Sequence, residues 1–167
     1  MGYCYRCGSG LSWSVIESIA REVCPDCGWV HYPQLKVSAA ALVTQYDALL
    51  LVQRGNDPWR GCWYLPAGYV EADENPARAA ERELREETGL AAVTKDLAGV
   101  YFFDDDPRGN GVLIVFRCEL NGGMLNPGAE VRQAGYFQAE NLPAPLTGAG
   151  HDRAIYDWIA SQRKRIE

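Results

Sequence analysis

No apolar run in this chain approaches the length of about 18 residues that a membrane-spanning helix needs, and its opening residues, MGYCYRCGSG, hold no basic segment leading into an apolar stretch. Both absences predict a cytoplasmic protein that makes no use of a membrane. Positive charge is also short. The 16 Lys and Arg stand against 22 Asp and Glu, a formal net charge of -6, whereas a nucleic-acid footprint needs a basic patch. Histidine is nearly missing: His31 and His151 lie far apart, and no grouping of serine, cysteine and histidine suggests a nucleophile beside its base. Internal repeats and low-complexity segments are absent, which excludes a solenoid or a linker array.

What is present is an ordinary globular composition, 47% hydrophobic and 23% charged over 167 residues, enough for one main domain with a sizeable core plus a small appendage. Cysteine marks the appendage. Cys4 and Cys7 form one Cys-x-x-Cys pair and Cys24 and Cys27 another, sixteen residues apart, a spacing that suits a four-cysteine zinc site. Gly8 and Gly28 follow the two pairs and allow tight knuckles whose amides point at sulfur. Four thiolates fill a tetrahedral Zn²⁺ shell and leave no position for water, so the expected role is structural. Disulfides are the alternative, disfavoured by the cytoplasmic expectation. Residues 1–31 therefore read as a zinc ribbon too small to fold without its metal, and Tyr32 and Pro33 link it to a second domain over 32–167. Cys62 and Cys118 stand in apolar surroundings and read as core thiols.

The densest chemical signal runs from Gly68 to Leu90, GYVEADENPARAAERELREETGL. Asn75 is a good N-cap, Pro76 fits the first helical position and Gly89 suits a left-handed C-cap, so the pattern predicts a helix over Pro76 to Thr88. At about 100° per residue, Glu86 lies roughly 60° to one side of Glu83 and Glu87 roughly 40° to the other, while Ala80 and Leu84 point elsewhere, towards a core. Like charges at these spacings weaken an isolated helix by roughly 0.2–0.5 kcal/mol per pair, which a bound divalent cation would reverse. A solvated acidic face is the bland alternative. Such a face has no need of the Ala67-Gly68 turn just before it, nor of Arg82 one turn before Glu86 to orient it.

Around this segment, Leu35 to Val43 reads as a strand, Tyr46 and Asp47 as its turn, and Leu49 to Gln53 as the returning strand. Arg54 to Pro58 reads as a loop, and Trp59, Trp63 and Tyr64 as core or hinge packing. Further strands are expected over Ala92 to Phe103 and Val112 to Leu120. The loop between them, Asp104 to Gly111, is either a solvated turn or a carrier of substrate contacts through its acids and Arg108. Gly148 to Arg165 reads as an amphipathic closing helix with Ile155, Trp158 and Ile159 inward and Arg163, Lys164 and Arg165 at its end. Strands before and after two helices suggest an α/β/α sandwich with a mixed sheet.

Every fixed position of the Gly68 to Leu90 segment matches the 23-residue signature of the Nudix hydrolase family, which the chain resembles in outline over roughly residues 35–165. The resemblance implies the same α/β/α sandwich, preceded here by the small zinc ribbon. It also implies Mg²⁺- or Mn²⁺-dependent hydrolysis of the pyrophosphate bond in a nucleoside diphosphate linked to another group, a small-molecule nucleotide substrate. Glu83, Glu86 and Glu87 would be metal ligands, with the Ala67 carbonyl beside them. Arg82 would hold the glutamates, and Glu74 would support the turn through hydrogen bonds. The general base would be a glutamate of the helix or Glu130, in the segment Gly128 to Phe137. Arg54 is a candidate for phosphate or terminal ribose contact, and Glu71 and Arg108 are counted with it as substrate-binding candidates.

A zinc ribbon joined to such a domain is a pairing of NADH pyrophosphatases and of a related ADP-ribose and FAD pyrophosphatase group. The NADH group carries a serine-glutamine-proline-tryptophan motif shortly after its signature; this chain has Tyr101 to Pro107 there, and Pro107 lies seventeen residues past Leu90, near the proline typical of ADP-ribose hydrolases. ADP-ribose or FAD is thereby favoured over NADH or NAD. A reading from another class is a non-catalytic nucleotide sensor whose ribbon binds nucleic acid or protein. The intact glutamates, and a ribbon in which Arg6 and Arg21 face Glu17, Glu22 and Asp26, argue against it. The ribbon could also build a homodimer or cover the cleft.

Overall fold

The computed structural model describes residues 2–163, and the chain divides into two compact units, Met1–Gln34 and Leu35–Glu167. The first contains β1 (Ser12–Ile16) and β2 (Ile19–Val23), an antiparallel hairpin turned at Glu17 and Ser18. Two knuckles stand beside it. Gly8 N–H donates to the Cys4 carbonyl at 2.8 Å and Gly28 N–H to the Cys24 carbonyl at 3.0 Å, so each Cys-x-x-Cys segment is curled by the glycine that follows it. Leu11, Cys4 and Cys24 form the small core, with Trp29 packed against them. A unit with so little buried apolar surface needs its cysteine cluster to hold it.

The second unit opens with the hairpin β3 (Lys36–Gln45) and β4 (Ala48–Arg54), turned at Tyr46 and Asp47, both left-handed at φ 51° and 59°. The two strands pair only beside the turn, through Thr44 with Leu49 and Gln45 with Ala48, and then diverge. β3 goes on to pair antiparallel with β6 (Ala67–Tyr69) and parallel with β8 (Gly111–Gly123). β4 pairs antiparallel with β5 (Trp63–Tyr64) and with β9 (Val131–Gln138). β7 (Leu90–Phe103) closes the far edge against β8. The result is a mixed seven-stranded sheet, forked at the β3–β4 hairpin.

Helices cover both faces. In α1 (Pro76–Thr88) the Asn75 side chain accepts from Arg78 N–H at 3.0 Å, and Gly89, at φ 72°, donates to the Arg85 carbonyl at 2.9 Å, which fixes both ends. Ala79, Ala80 and Leu84 are fully buried against Ala39, Ala41, Val43 and Leu50. On the other face, α2 (His151–Arg163) brings Ile155 and Trp158 against Leu42, Leu49, Leu51 and Leu65. The alternation of β3 and β4 thus feeds two cores, and the small Ala39, Ala40 and Ala41 let the helices approach the sheet. None of the described helices is long and apolar enough to cross a membrane.

The α/β/α layering and mixed sheet agree with expectation. In the second unit three strands, β5, β6 and β9, do not appear in the sequence reading, and neither does the β1–β2 hairpin of the first. The segment holding Glu130 is a strand from Val131 onward rather than a continuous loop, because β4 offers it seven paired positions. The closing helix begins at His151 rather than Gly148, since Ala149 and Gly150 are left-handed at φ 54° and 85°. Lys164 and Arg165, expected at its end, lie outside the described residues. Cys118 is buried as expected, whereas Cys62 is only half-buried, since it stands in the loop ahead of β5.

The packing of α1 yields a test. Leu84→Ala should cost about 2–5 kcal/mol of stability in denaturant unfolding, because Leu84 is fully enclosed, while Val93→Ala, at 44% exposure on β7, should cost less than about 1 kcal/mol. Equal losses at the two positions would contradict the burial of the helix face.

Candidate active site

The fork between β3 and β4 opens a cleft of about 440 Å³. Glu83, Glu86 and Glu87 face it from α1, Ala67 and Gly68 from β6, and Arg54 from the end of β4. A Cβ on Gly68 would lie 2.2 Å from the Glu83 carboxylate, so a larger residue here would displace that acid from where Arg82 holds it.

The three carboxylates are held differently. Glu87 is buried, with Tyr64 Oη donating to its Oε1 at 2.5 Å and Ala67 N–H to its Oε2 at 3.0 Å. Burial, with a smaller push from Glu83, raises its carboxyl to about 8 despite those two donors. Burial also raises the Tyr64 hydroxyl far above its ordinary value, which keeps it a donor. Glu83 is raised by burial, partly opposed by Arg82. Glu86 is half-exposed on the outer side.

Arg82 is the hub of the acidic wall. Its Nε and Nη2 form a fork on Glu74 at 2.9 Å each, Nη1 reaches Glu83 at 2.5 Å and Glu86 at 3.3 Å, and Nη2 also donates to the Tyr69 carbonyl at 3.0 Å. Hydrogen bonding to Glu74, ahead of Glu83, raises the guanidinium, and the same pair lowers the Glu74 carboxyl. Glu74 is therefore engaged with Arg82 and turned to a supporting role.

The other candidates are divided by the fold. Glu130 is exposed on the rim, its carbonyl accepting from Gly55 N–H at 2.8 Å. Arg108 lines the cleft and is clamped by Asp106, with Nη2 to Oδ2 at 2.6 Å and Nε to Oδ1 at 2.9 Å; Asp106 itself is buried. Arg108 lies 5.6 Å from the Tyr69 ring centroid. Glu71 is exposed and is not among the residues that line the cleft; its backbone N–H donates towards the Glu74 carboxylate at 3.4 Å.

Three residues of the site escaped sequence reasoning, Asp106 and His151 in the cleft lining and Tyr64 buried behind it. Tyr64 looked like core packing, yet it holds Glu87. Asp106 was one acid among several in a loop, and its pairing with Arg108 two residues on was the available signal. His151 gave no linear signal, since its neighbours Tyr64 and Arg54 lie far upstream; its ring stands edge-on to Tyr64 at 5.5 Å between centroids.

The donor set can be judged from this geometry. Oxygen ligands on a short arc, one of them a buried carboxyl raised by burial and by a like charge, suit a hard divalent cation. The three carboxylates converge without closing: among the described residues, the only group of three or more ligand side chains whose atoms all lie within 4.8 Å of one another is Cys4, Cys7, Cys24 and Cys27. Those sulfurs approach to 3.6 Å between Cys4 and Cys27 and 3.4 Å between Cys7 and Cys24, near the edge of about 3.8 Å that a tetrahedron of Zn–S bonds of about 2.3 Å requires. All four are free of disulfides.

The profile of the NUDIX domain matches residues 34–159, and the Nudix N-terminal zinc-ribbon profile matches residues 2–33. The chain belongs to the Nudix family. Among its Nudix relatives is a protein named ADP-ribose pyrophosphatase from Methanocaldococcus jannaschii, 38% identical over 124 residues, 74% of this chain and 72% of the relative. Another is named NAD-capped RNA hydrolase NudC, from Stutzerimonas stutzeri, 33% identical over 145 residues; the match spans 85% of this chain and half the length of that relative. A solved Nudix hydrolase from Nitrosomonas europaea superposes with a TM-score of 0.86 at 26% identity, over 98% of this chain and 93% of the other. The ribbon and the sheet therefore recur together in a solved Nudix structure.

Burial of His151 has a pH consequence. Desolvation, with Arg54 adding to it, lowers its imidazole from 6.5 to about 3. The unfolded chain then binds a proton between those values that the folded chain refuses, so this group leaves stability intact above pH 6.5 and withdraws it as pH falls towards 3. His151→Phe should gain about 2 kcal/mol over the parent on passing from pH 8 to pH 5 in denaturant melts. A pH-independent difference between the two proteins would contradict the burial.

Proposed function

We propose that this chain is an Mg²⁺- or Mn²⁺-dependent hydrolase of the pyrophosphate bond in a nucleoside diphosphate linked to another group, with ADP-ribose or FAD as the favoured substrate. The observation that carries the reading is the complete Gly68 to Leu90 signature, folded so that Glu83, Glu86 and Glu87 all line one cleft. The name of the Methanocaldococcus jannaschii relative supports ADP-ribose.

Glu83, Glu86 and Glu87 would hold the cation, with the Ala67 carbonyl beside them. When bound, the cation neutralises phosphate oxygens and lowers the pKa of a coordinated water. The chain's own residues do the rest. Tyr64 and Ala67 N–H fix both oxygens of Glu87, and Arg82 limits the swing of Glu83 and Glu86. Arg54 and Arg108 supply positive charge on the cleft walls for the diphosphate or terminal ribose, and the Asp106 clamp sets the direction of Arg108. Glu130, an exposed carboxylate on the rim, or a glutamate of the helix would take a proton from the attacking water. The products would be a nucleoside monophosphate and the phosphorylated remainder.

The ribbon over 1–31 would bind structural Zn²⁺ through Cys4, Cys7, Cys24 and Cys27, and its free thiols suit a reducing cytoplasm. The likeness to NudC favours one second reading, hydrolysis of NADH or of an NAD-derived cap, despite the absent serine-glutamine-proline-tryptophan motif.

A panel of ADP-ribose, FAD and NADH with Mg²⁺ or Mn²⁺ should show AMP release ranked by kcat/KM with ADP-ribose or FAD ahead of NADH. Glu86→Gln and Glu87→Gln should each lower kcat by more than about 100-fold. Absence of AMP from all three substrates would falsify the hydrolase reading. For the ribbon, Cys24→Ser should reduce bound zinc below one equivalent and remove the ribbon's protease resistance; full zinc content in that variant would contradict the four-thiolate site.

A further inference from the structure

The floor of the cleft holds two polar atoms that have no partner among the described residues. Arg54 Nε and His151 Nδ1 are both buried and make no hydrogen bond there. His151 is 8% exposed and lines the cleft, as Arg54 does. Buried polar groups in folded proteins are nearly always paired, and each unpaired one costs about 1–3 kcal/mol. Two such atoms on the wall of one cleft point to a ligand that supplies the partner.

Their placement says what kind. Tyr64 is the common neighbour: the Arg54 guanidinium lies 5.7 Å from its ring centroid, the His151 ring stands 5.5 Å from it on edge, and its hydroxyl holds Glu87. The two unpaired groups are thus one aromatic ring away from the acidic wall. Among the described residues no ion pair includes Arg54, the Glu87 carboxylate included. Arg54 Nε–H can only donate, and its charge is permanent. His151 opens α2, a helix of 13 residues whose N-terminal end favours negative charge. The burial that lowers the imidazole keeps it neutral, and the tautomer protonated at Nδ1 offers its one N–H at the unpaired position. A cationic donor, a neutral imidazole and a helix start together fit an anionic oxygen better than a hydroxyl or a carbonyl.

We propose that Arg54 and His151 form a phosphate-oxygen subsite on the floor of the cleft, in which His151 is a substrate-binding residue that fixes one phosphate of the diphosphate beside the carboxylate wall. This rests on the hydrolase reading above for the identity of the substrate, while the subsite itself stands on the two unpaired atoms. Arg54 supplies the charge and His151 the direction, so the pair discriminates by where a phosphate oxygen falls and not by the base.

The chain has only two histidines, His31 and His151, which makes the test direct. The full chain with Mg²⁺ is titrated with inorganic phosphate while the ring nitrogens are followed by ¹H–¹⁵N NMR. The His151 ring resonances should move to saturation and those of His31, in the ribbon, should stay. His151→Phe, which keeps an aromatic ring but no nitrogen, and Arg54→Ala should each weaken phosphate binding by about 10-fold or more, with His151→Gln recovering part of the loss. In the same variants kcat/KM for ADP-ribose should fall by a similar factor, carried by KM. Phosphate that fails to bind, binds with the His151 ring unmoved, or binds His151→Phe as tightly as the parent overturns the subsite. Hydrolysis of ADP-ribose with an unchanged KM in His151→Phe overturns it too and leaves the hydrolase standing. Phosphate binding through His151 in a protein that cleaves none of the panel overturns the hydrolase and leaves the subsite.

Discussion

The Arg82 guanidinium is the contact on which the acidic wall depends. One planar group with five N–H donors satisfies Glu74, Glu83 and Glu86 and reaches back to the Tyr69 carbonyl, so the turn after β6, the segment before α1 and the helix itself are tied at a single point. Without it, three carboxylates would repel one another beside a low-dielectric core. With it, the acids are held near the cleft and only Glu86 remains half-exposed. Lysine could not replace this geometry, because a point charge cannot fork onto Glu74 while also reaching two further acids and a carbonyl.

The second constraint is the fork in the sheet, and Glu87 is the clasp across it. β3 carries β6, and with it Ala67; β4 carries β5, and with it Tyr64. One oxygen of Glu87 accepts from each arm. The helix that supplies the acids therefore also sets how far the fork opens, and packing of Leu84, Ala79 and Ala80 on β3 and β4 keeps that helix in register. The core behind the sheet, built on Ile155 and Trp158, anchors α2 and so presents His151 to the floor of the same cleft. Stability and site geometry are thus one problem in this domain, since each wall is the polar edge of a packed element.

Much of the acidic wall was legible in the sequence because its determinants are local. Asn75, Pro76 and Gly89 mark the ends of α1, and the spacing of Glu83, Glu86 and Glu87 places them on one side whatever the rest of the chain does. The four cysteines were legible for the same reason, since two short knuckles need only a hairpin to meet. What escaped depends on pairing between distant segments. β5, of two residues, and β6, of three, are strands only because β4 and β3 lie beside them. His151 meets Tyr64 across most of the domain's length, and no local pattern encodes that meeting. Glu71, by contrast, looked like part of the signature and stands outside the cleft, because the turn that brings Glu74 onto Arg82 leaves Glu71 exposed.

The central claim is that the helix glutamates form a divalent-cation site against a nucleotide diphosphate cleft. An anomalous-scattering map from crystals grown with Mn²⁺ tests it most directly. The account predicts a peak about 2.0–2.6 Å from carboxylate oxygens of Glu83, Glu86 and Glu87, with Arg82 still forked onto Glu74. A Mn²⁺ peak bound elsewhere, or none within reach of those three side chains at saturating metal, would contradict it.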